Sequence, residues 1–361
     1  MTKPLKTGST IGILGGGQLG RMLTLAAARL GFKSHIFHPS PNSPASEIAF
    51  ASTVADYEDQ TAILDFADKV DVITYEFENI PTQILKALAD RHILRPGCEA
   101  LEVSQDRLLE KEFLNSLGIK TADFEKVDSK KSLKAAINHL GLGSILKTRR
   151  LGYDGKGQFK IVSQKDLRNA LPVLGSQQLI LEKFINFSHE ISIIGARSWV
   201  GDIVCFDPSE NLHENGILLK TRVPANLTPK QRNEVTIIAR KILEELNYVG
   251  VMGIEFFVAD NEIIVNEIAP RVHNSGHWTQ TGCVVDQFEQ HIRAISGWPL
   301  GSVKRHSDII MENLLGDDIH GVIHLANQPG INLQIYGKKV IKTNRKMGHF
   351  NRIVEKQKTD I

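Results

Sequence analysis

Residues 10–31 read TIGILGGGQLGRMLTLAAARLG, an apolar run followed by closely spaced glycines and then by an amphipathic segment. The apolar run predicts a strand, and the segment after the glycines predicts a helix that ends at Gly31. Strand-like and helix-like segments continue to alternate through the first hundred residues. This alternation predicts an α/β unit, a parallel sheet with helices on both faces, because each parallel strand needs a crossover to reach the next.

The glycines of this stretch form a recognisable but weak motif. Gly15, Gly17 and Gly20 match G-x-G-x-x-G between a strand and a helix, as in dinucleotide-binding domains. Such domains also need an acidic residue near the end of the second strand, and here that strand ends at His38 and Pro39. An NAD(P)-dependent oxidoreductase is therefore disfavoured. The loop is left with two interpretations: a site for a single phosphate or a polar sugar group, or a tight turn that binds nothing.

Composition narrows the class of protein. The 361 residues carry a net charge of +2 with scattered lysines and arginines, which gives no electrostatic footprint for nucleic acid. The three cysteines are far apart and form no paired motif, which is typical of a reducing compartment. The first residues lack the apolar core of a signal peptide, and no apolar run approaches the roughly 18 residues of a membrane span. We therefore expect a cytoplasmic protein that binds neither nucleic acid nor a membrane.

The character of the sequence changes after Gly118. The runs GSILKTRR and GQFKIV flank a glycine-rich tip and predict an antiparallel hairpin. An amphipathic helix is predicted over residues 228–247, and GVMGIEFFVAD followed by EIIVNEIAP predicts a second pair of strands. From about Ser302 the chain holds short apolar runs and basic turns. We expect an α+β architecture after the parallel sheet.

Two glutamates lie inside the apolar runs of the second strand pair. Glu255 and Glu267 fall on its neighbouring strands, and Asn266 precedes the second glutamate. Carboxylate and amide oxygens that converge from paired strands are typical ligands of Mg²⁺ bound with a nucleotide. The alternative is two solvated strand acids, but an unpaired carboxylate within an apolar run is costly. We therefore favour a metal site at Glu255 and Glu267.

The first hairpin carries candidate phosphate-binding lysines. Lys147 ends the apolar run SIL, and the tip LGYDGKGQ carries Lys156. Such a tip suits a flap that covers phosphates. An ordinary exposed hairpin with solvated lysines is the alternative, credible for Lys156 and weaker for Lys147.

Two further glutamates lie in the segment EKFINFSHE. Glu182 ends an apolar strand, and Glu190 closes the segment. A hinge of this kind can present backbone groups to an adenine and a carboxylate to a ribose. Taken alone, however, the pattern favours two surface acids.

Polar side chains crowd into the stretch EIAPRVHNSGHWT. Arg271 can neutralise phosphoryl or carboxylate charge, and His273 can move protons near neutral pH. The two histidines of the stretch have no thiol or third histidine at ligand spacing, which argues against zinc. A later basic turn carries Lys338, Arg345 and Lys346, either as a solvated surface or as a phosphate clamp that reaches back to the first domain.

Taken in order, these motifs resemble the ATP-grasp superfamily and, within it, the ATP-dependent carboxylases of purine biosynthesis. The resemblance runs over nearly the whole chain and is carried by GGGQLGRM, YEFENI, GYDGKGQ, ENLHENGIL, NEIAPRVHNSGH and RKMGH. The last three motifs are far more specific than the glycine loops. Val272 departs from the pattern, since these carboxylases usually have proline there, which would stiffen the turn.

The resemblance implies three parts and a homodimer. The first is a biotin-carboxylase-like domain that binds the ribonucleotide, over residues 1–100. The second is a two-lobed ATP-grasp domain over residues 101–300, with a flap at residues 152–158. The third is a small C-terminal domain over residues 301–361.

The resemblance also implies a role for each matching residue. Mg²⁺ would be bound by Glu255 and Glu267, while Arg271, His273, Tyr153 and Asp154 would serve catalysis. The ribonucleotide would be bound by Gln18, Leu19, Glu76, Lys338, Arg345 and Lys346. The ATP-binding residues would be Arg107, Lys147, Gly152, Tyr153, Asp154, Gly155, Lys156, Gly157, Gln158, Glu182, Lys183, Phe184, Ile185, Glu190, His213, Asn266 and Glu267.

The implied reaction is the ATP- and bicarbonate-dependent carboxylation of the exocyclic amine of 5-aminoimidazole ribonucleotide, through carboxyphosphate, with release of ADP and phosphate. The nearest rival is a formate-dependent glycinamide ribonucleotide transformylase, whose pattern differs around the first histidine of NEIAPRVHNSGH. A nucleotide-binding protein without catalysis is a further alternative. It is disfavoured because a sensor has no need of a metal-bridged triphosphate.

Overall fold

The computed structural model describes residues 3–90, 92–152, 156–175, 178–260 and 262–354, which form three β-sheets with helices packed against them. One sheet is parallel and two are antiparallel. The predicted combination of a parallel α/β part and an α+β remainder is confirmed.

The N-terminal part is a four-stranded parallel sheet in the order β3-β2-β1-β4. Its elements are β1 (Thr10–Leu14), α1 (Gln18–Arg29), β2 (Lys33–Phe37), β3 (Ala51–Thr53), α2 (Gln60–Ala67), β4 (Val72–Tyr75), α3 (Thr82–Ala89) and α4 (Cys98–Ser104). A further short strand is suggested by HILRPG in the sequence, but the structure has only an isolated bridge there, between Ile73 and Leu94.

Alternating residues of the parallel strands fill two separate cores. Ile11 and Ile13 of β1 pack into the core that α1 closes, while Leu14 joins Phe37 and Tyr75 in the core that α2 and α3 close. A strand buried on both faces reads as a continuous apolar run, which is why the sequence indicates it clearly. The carboxyl end of β1 is thereby fixed directly beneath the glycine loop.

A small antiparallel sheet follows, in the order β5-β8-β6-β7. The predicted hairpin is its β6–β7 pair, with Lys147 opposite Gln158. Its elements, preceded by one helix, are α5 (Arg107–Ser116), β5 (Phe124–Val127), α6 (Lys130–Leu140), β6 (Ser144–Thr148), β7 (Gln158–Ile161), α7 (Gln164–Leu174) and β8 (Leu179–Lys183).

The largest sheet has nine antiparallel strands, eight of them in the order β14-β13-β9-β11-β12-β15-β17-β16, with β10 paired to β9. Its strands are β9 (His189–Arg197), β10 (Ile203–Cys205), β11 (Ser209–Glu214), β12 (Ile217–Val223), β13 (Gly250–Ala259), β14 (Glu262–Ala269), β15 (Asp308–Leu315), β16 (Ile331–Ile335) and β17 (Lys346–Val354). The helices of this part are α8 (Pro229–Glu245), α9 (Thr279–Gly282), α10 (Gln287–Ser296) and α11 (Val322–Ala326), with 3₁₀ turns at Asn274–Gly276 and Gly316–Gly321.

The C-terminal strands belong to this same sheet. β15 pairs with β12 from Lys220 opposite Glu312 to Val223 opposite Ile309. The sheet therefore runs across the boundary placed at residue 300, and that boundary stays a prediction. Among the described residues, no helix has the length and apolar character that crossing a bilayer requires.

Candidate active site

The glycine loop encloses a carboxylate. The backbone N–H of Gly17 donates a hydrogen bond to Oε1 of Glu76 at 2.6 Å. Gly15 has φ of +125°, and a Cβ added there would lie 2.5 Å from Cγ of Glu76. Burial raises the pKa of Glu76, although the hydrogen bond from Gly17 and the charge of Arg271 act to lower it. The amide of Gly17 is therefore occupied by Glu76, and the loop presents a carboxylate to the site.

The two residues predicted to bind the ribonucleotide at this loop open α1. Gln18 is half-buried, whereas Leu19 is 7% exposed and packs into the core. Leu19 can therefore contribute its backbone more readily than its side chain.

Arg271 connects the glycine-loop end of the site with the strand carboxylates. Its Nε lies 2.9 Å from Oε1 of Glu78, and its Nη1 donates to the carbonyl oxygen of Val272 at 3.0 Å. Burial acts to lower the pKa of Arg271, but Glu78, Glu76 and Glu267 together raise it. One guanidinium thus faces carboxylates from the N-terminal part and from β14.

Glu255 and Glu267 stand directly opposite each other on β13 and β14, next to a bulge in the pairing. Burial, together with the negative charge of Glu267, raises the pKa of Glu255 to about 7. Burial also acts to raise the pKa of Glu267, but Arg107 and Lys147 outweigh it and lower that pKa. Nη1 of Arg107 lies 3.2 Å from Oε2 of Glu267. Arg107 and Lys147 therefore neutralise the charge of Glu267, whereas the charge of Glu255 is neutralised less completely.

Asn266 is half-buried and precedes Glu267 on β14. Within the described part of the chain, no three His, Cys, Asp or Glu side chains are arranged as a metal-binding group.

The interpretation of Glu182 as a surface acid is wrong, because its side chain is 5% exposed and bridges two lysines. Nζ of Lys147 donates to Oε2 of Glu182 at 2.8 Å, and Nζ of Lys111 lies 3.5 Å from the same oxygen. Burial acts to raise the pKa of Glu182, but the two lysines outweigh it and lower the pKa to about 2. The sequence predicts an isolated acid because the partners lie on distant elements.

Lys111 is a residue that the sequence analysis missed. It is 2% exposed, on the face of α5 that also buries Leu108 and Leu114. Its spacing of three residues from each of these leucines is the signal that places it inward.

Glu190 is also paired rather than solvated. Its Oε2 lies 2.5 Å from Nδ1 of His213, which extends from the neighbouring strand β11. Burial acts to lower the pKa of His213, but Glu190 and Glu255 outweigh it and raise the pKa. The structure thus joins two predicted nucleotide-binding residues and sets them beside Glu255.

The other hinge residues lie at the rim of the small sheet. Nζ of Lys183 donates to the carbonyl oxygen of Leu140 at 2.7 Å, at the end of α6. Phe184 is 38% exposed and lies under Nζ of Lys160, whereas Ile185 is half-buried.

The predicted flap is described at both of its ends. A Cβ added at Gly157, which has φ of +71°, would lie 2.5 Å from Oγ1 of Thr148, and one added at Gly152 would lie 3.6 Å from Nη2 of Arg107. Lys156 and Gln158 are exposed. The predicted residues Tyr153, Asp154 and Gly155 lie outside the described residues.

His273 extends into the same site from the turn after β14. Its Nε2 lies 3.7 Å from Oε1 of Glu255, and its side chain is 12% exposed. Burial and the charges of Arg271 and Lys346 hold the pKa of His273 well below its usual value. The sequence suggested a histidine that titrates near neutral pH, whereas the structure favours a neutral ring.

The three basic residues near the C-terminus have different surroundings. Nζ of Lys338 donates to the carbonyl oxygen of Lys346 at 2.6 Å, and its charge acts on Glu76. The charge of Lys346 acts on Glu255. Nη1 of Arg345 donates to the carbonyl oxygen of Val340 at 2.8 Å and so closes its own turn. The structure therefore brings the two lysines to the site, while the guanidinium of Arg345 stabilises the loop between them.

Glu78, the partner of Arg271, was also missed. It lies two residues after Glu76 in YEFENI. Because β4 ends at Tyr75 and Glu78 lies in the turn that follows, strand periodicity gives no signal for it.

Buried lysine and arginine side chains beside carboxylates on paired strands are the arrangement of an ATP-grasp enzyme. The protein families that the chain matches agree with this. The profile described as the ATP-grasp domain matches residues 112–288. The ribonucleotide synthetase preATP-grasp domain matches residues 8–105, and the phosphoribosylaminoimidazole carboxylase C-terminal domain matches residues 310–359.

Individual relatives narrow the family further. The N5-carboxyaminoimidazole ribonucleotide synthase of Brucella melitensis is 49% identical over 352 residues, which are 97% of this chain and 97% of that protein. The synthase of the same name from Bacillus subtilis is 42% identical, over 95% of this chain and 90% of that protein. The chain therefore belongs to the N5-carboxyaminoimidazole ribonucleotide synthase family.

Solved structures of similar proteins have the same fold. The N5-carboxyaminoimidazole synthetase of Staphylococcus aureus, complexed with ADP, superposes with a TM-score of 0.94 at 40% identity, over 98% of this chain and 95% of that chain. The Aspergillus clavatus synthase in complex with ADP and 5-aminoimidazole ribonucleotide superposes with a TM-score of 0.91 at 29% identity, over 96% and 94% of the two chains.

Proposed function

We propose that this enzyme uses ATP and bicarbonate to carboxylate the exocyclic amine of 5-aminoimidazole ribonucleotide. The observation that carries the proposal is the position of Arg271. Its charge acts on Glu76 at the glycine loop and on Glu267 of the carboxylate pair, so one side chain joins two subsites. A group activated at one subsite can therefore be passed to a substrate at the other.

ATP is assigned to the side of Arg271 that carries Glu267. Arg107 and Lys147 offer buried positive charge to its phosphates, and the flap at residues 152–158 covers them. The segment Glu182–Ile185 faces the adenine, and the ribose lies at Glu190 and His213. The ion pairs of Lys147 and Arg107 with carboxylates support this assignment, because they hold both cations in place before the nucleotide arrives.

The ribonucleotide is assigned to the other side, between the glycine loop and the basic turn. Gln18 and the backbone of Leu19 face it, and Glu76 receives its ribose or its amine. Lys338 and Lys346 receive its phosphate, and Arg345, whose Nη1 donates to Val340, offers its remaining guanidinium N–H groups to it. The buried carboxylate of Glu76 and the nearby charge of Lys338 support this arrangement. The carboxylate can accept hydrogen bonds from the ribose or the amine of the ribonucleotide, and the positive charge can attract its phosphate.

The chemistry has two steps. An oxygen of bicarbonate attacks the γ-phosphorus of ATP and ADP leaves, which gives carboxyphosphate. Carboxyphosphate then loses phosphate, and its carboxyl carbon bonds to the amine nitrogen of the ribonucleotide, which gives up a proton. Phosphoryl transfer depends on positioning and charge neutralisation. Arg271 supplies positive charge, and the neutral ring of His273 can position the reacting groups through a hydrogen bond. Tyr153 and Asp154 remain predicted contacts of the second substrate.

Mg²⁺ is the cation that the carboxylate pair fits. Glu255 and Glu267 supply hard oxygen ligands from paired strands, and the raised pKa of Glu255 reflects charge that a cation would neutralise. Asn266 is adjacent and can add an amide oxygen. Bound there, the cation would neutralise the phosphate charge that accompanies transfer of the γ-phosphoryl group.

We further propose a homodimer and a cytoplasmic location, as the sequence resemblance implies. Sedimentation velocity at micromolar concentration tests the first, and fractionation of cells that express the tagged chain tests the second.

The function is tested by ADP release with ATP, Mg²⁺ and bicarbonate, with and without 5-aminoimidazole ribonucleotide. We expect strong stimulation by the ribonucleotide and a requirement for bicarbonate. Stimulation instead by formate with glycinamide ribonucleotide would keep the fold class and reject the substrate. No turnover under either condition would reject catalysis in favour of nucleotide binding alone.

A further inference from the structure

His273 is held at its backbone as well as at its ring. Gln287, which is fully buried, accepts a hydrogen bond from the N–H of His273 at 2.9 Å and donates to its carbonyl oxygen at 2.7 Å. Below it lies Gly253, where an added Cβ would stand 2.7 Å from the Cβ of His273. The peptide unit and the space beneath it therefore fix where the imidazole can lie.

The contacts of the ring show which nitrogen carries hydrogen. The backbone N–H of Ser275 is directed at Nδ1 of His273 over 3.4 Å, and Oγ of Ser275 lies 2.8 Å from the same nitrogen. An amide N–H can only donate, so Nδ1 is an acceptor and the ring N–H is at Nε2.

The hydroxyl of Ser275 is oriented by a chain of buried donors. Oγ of Ser192 donates to Oγ of Ser275 at 2.7 Å, which leaves the Ser275 hydrogen for Nδ1 of His273. Nδ2 of Asn211 donates to Oγ of Ser192 at 2.9 Å, and Oγ1 of Thr221 donates to Oδ1 of Asn211 at 2.9 Å. All four partners of the chain are buried, so water does not compete for these bonds. The donors therefore run in one direction, toward the imidazole.

We propose that Ser275, supported by Ser192 and Asn211, is a positioning residue that fixes His273 as its Nε2–H tautomer. Nε2 lies 3.7 Å from Oε1 of Glu255, so the N–H is directed to the space beside the carboxylate pair. On the proposed function, on which this inference rests, that space receives bicarbonate and the transferred phosphoryl group. Their anionic oxygens accept hydrogen bonds, and His273 is a fixed donor to them.

The test compares Ser275→Ala with Ser209→Ala. Ser209 is a matched control because it is buried and its Oγ lies 2.9 Å from Oγ of Ser192, yet it is off the path from Ser192 to His273. With ring-¹⁵N-labelled histidine, NMR should report the Nε2–H tautomer of His273 in the wild type and in the control. Ser275→Ala keeps the backbone N–H, but this contact is long at 3.4 Å, so loss of the 2.8 Å contact of the hydroxyl should give a mixture of tautomers. The ring ¹⁵N signals of His273 are assigned as those that disappear from the spectrum of the His273→Asn variant.

Steady-state kinetics supply the second readout. In Ser275→Ala we expect kcat to fall about tenfold or more, as is typical when a group that orients a functional histidine is removed. KM for ATP and for the ribonucleotide should change by less than about twofold. The reason is that the ring contacts the reacting groups and not the parts of the two substrates that the rest of the site binds. Ser209→Ala should keep the wild-type kcat.

The outcomes separate this inference from the proposed function. An Nδ1–H tautomer in the wild type, or a wild-type tautomer and kcat in Ser275→Ala, would overturn the inference. Failure of bicarbonate-dependent turnover in a wild type whose His273 tautomer behaves as expected would overturn the proposed function alone. If Ser275→Ala does not fold, Ser192→Ala removes the donor to Ser275 without touching the ring and should shift the tautomer in the same direction. An unchanged tautomer in Ser192→Ala would then overturn the inference.

Discussion

Glu267 is the member of the carboxylate pair that interacts with the positively charged side chains of the site. It contacts Arg107 and stands opposite Glu255, and a cation held by the pair would need both carboxylates. Glu267→Gln keeps the shape and removes the charge. We expect kcat/KM to fall about 10- to 100-fold, with a larger loss at limiting Mg²⁺.

The matched control for this change is Glu262→Gln, on the same strand. Glu262 is exposed and pairs with Lys120 away from the site. It should leave both kcat/KM and the Mg²⁺ dependence unchanged. Turnover titrated with Mg²⁺ measures both effects, and near-normal activity of Glu267→Gln at limiting Mg²⁺ would show that Glu267 is not a ligand.

Gly15 tests the enclosure of Glu76 by the glycine loop. Gly15→Ala imposes a strained φ and places a Cβ against Cγ of Glu76, whereas Gly8→Ala imposes a positive φ of +88° with nothing within 4 Å. We expect a destabilisation of roughly 2–4 kcal/mol for Gly15→Ala and about 1–2 kcal/mol for Gly8→Ala. Urea unfolding measures the difference.

The same pair of variants separates stability from substrate binding. Because Glu76 is displaced only in Gly15→Ala, that variant alone should raise the KM for 5-aminoimidazole ribonucleotide more than the KM for ATP. Equal KM changes for the two substrates would count against a ribonucleotide site at the loop.

Helix α5 and strand β14 are joined by a buried acid. Oε1 of Glu110 accepts a hydrogen bond from the N–H of Ile268 at 2.7 Å. Burial and the charge of Glu267 raise the pKa of Glu110 to about 8, from an ordinary value of 4.5. Between these values the folded state binds more protons than the unfolded state. The free energy of unfolding should therefore fall as pH rises through this window.

Glu110→Gln removes this contribution while its side-chain oxygen can still accept from Ile268. Relative to the wild type, the variant should gain stability as pH rises from 5 to 8.5, by on the order of a few kcal/mol. Urea midpoints measured in the presence of a chelator give the slope. Glu112→Gln, on the exposed face of the same helix, should keep the wild-type slope. A wild-type slope in Glu110→Gln would show that Glu110 is not the group that titrates.

At the level of elements, the sequence predicts structure formed by residues close together in the chain. It does not predict contacts between elements that are far apart in the chain. The strand–loop–helix around residues 10–31, the β6–β7 hairpin and the β13–β14 pair follow from periodicity and turn residues. Periodicity and turn residues could not predict the burial of Glu182 or the pairing of Glu78 with Arg271, because the partner of each lies on a remote element. The chain of donors behind Ser275 was missed for the same reason, because serine, asparagine and threonine on strands read as ordinary polar residues.

For the molecule as a whole, the C-terminal strands complete the largest sheet. Nδ2 of Asn351 donates to the carbonyl oxygen of His277, and His349 stacks on the ring of His277 at 4.5 Å. A chain shortened to residues 1–300 would lose these contacts and expose the edge of β12. We expect it to aggregate or to melt without cooperativity, because an unpaired edge and an uncovered core are both unfavourable.

Circular dichroism melts and size-exclusion chromatography of the shortened chain test this. A cooperative melt that ATP with Mg²⁺ shifts upward would show that residues 301–361 are dispensable for folding, and that the boundary at residue 300 separates two independent units.

The continuity of the nine-stranded sheet also links residues that are proposed to bind different substrates. Glu190 and Glu255 sit on β9 and β13, while Lys346 begins β17, and all three strands are linked through one hydrogen-bonded ladder. The residues proposed for the ribose of ATP and for the phosphate of the ribonucleotide therefore lie on one hydrogen-bonded sheet and cannot move apart without breaking strand pairs. Lys147 lies on the separate four-stranded sheet, so a change in the distance between Lys147 and Glu255 would not require the nine-stranded sheet to unpair.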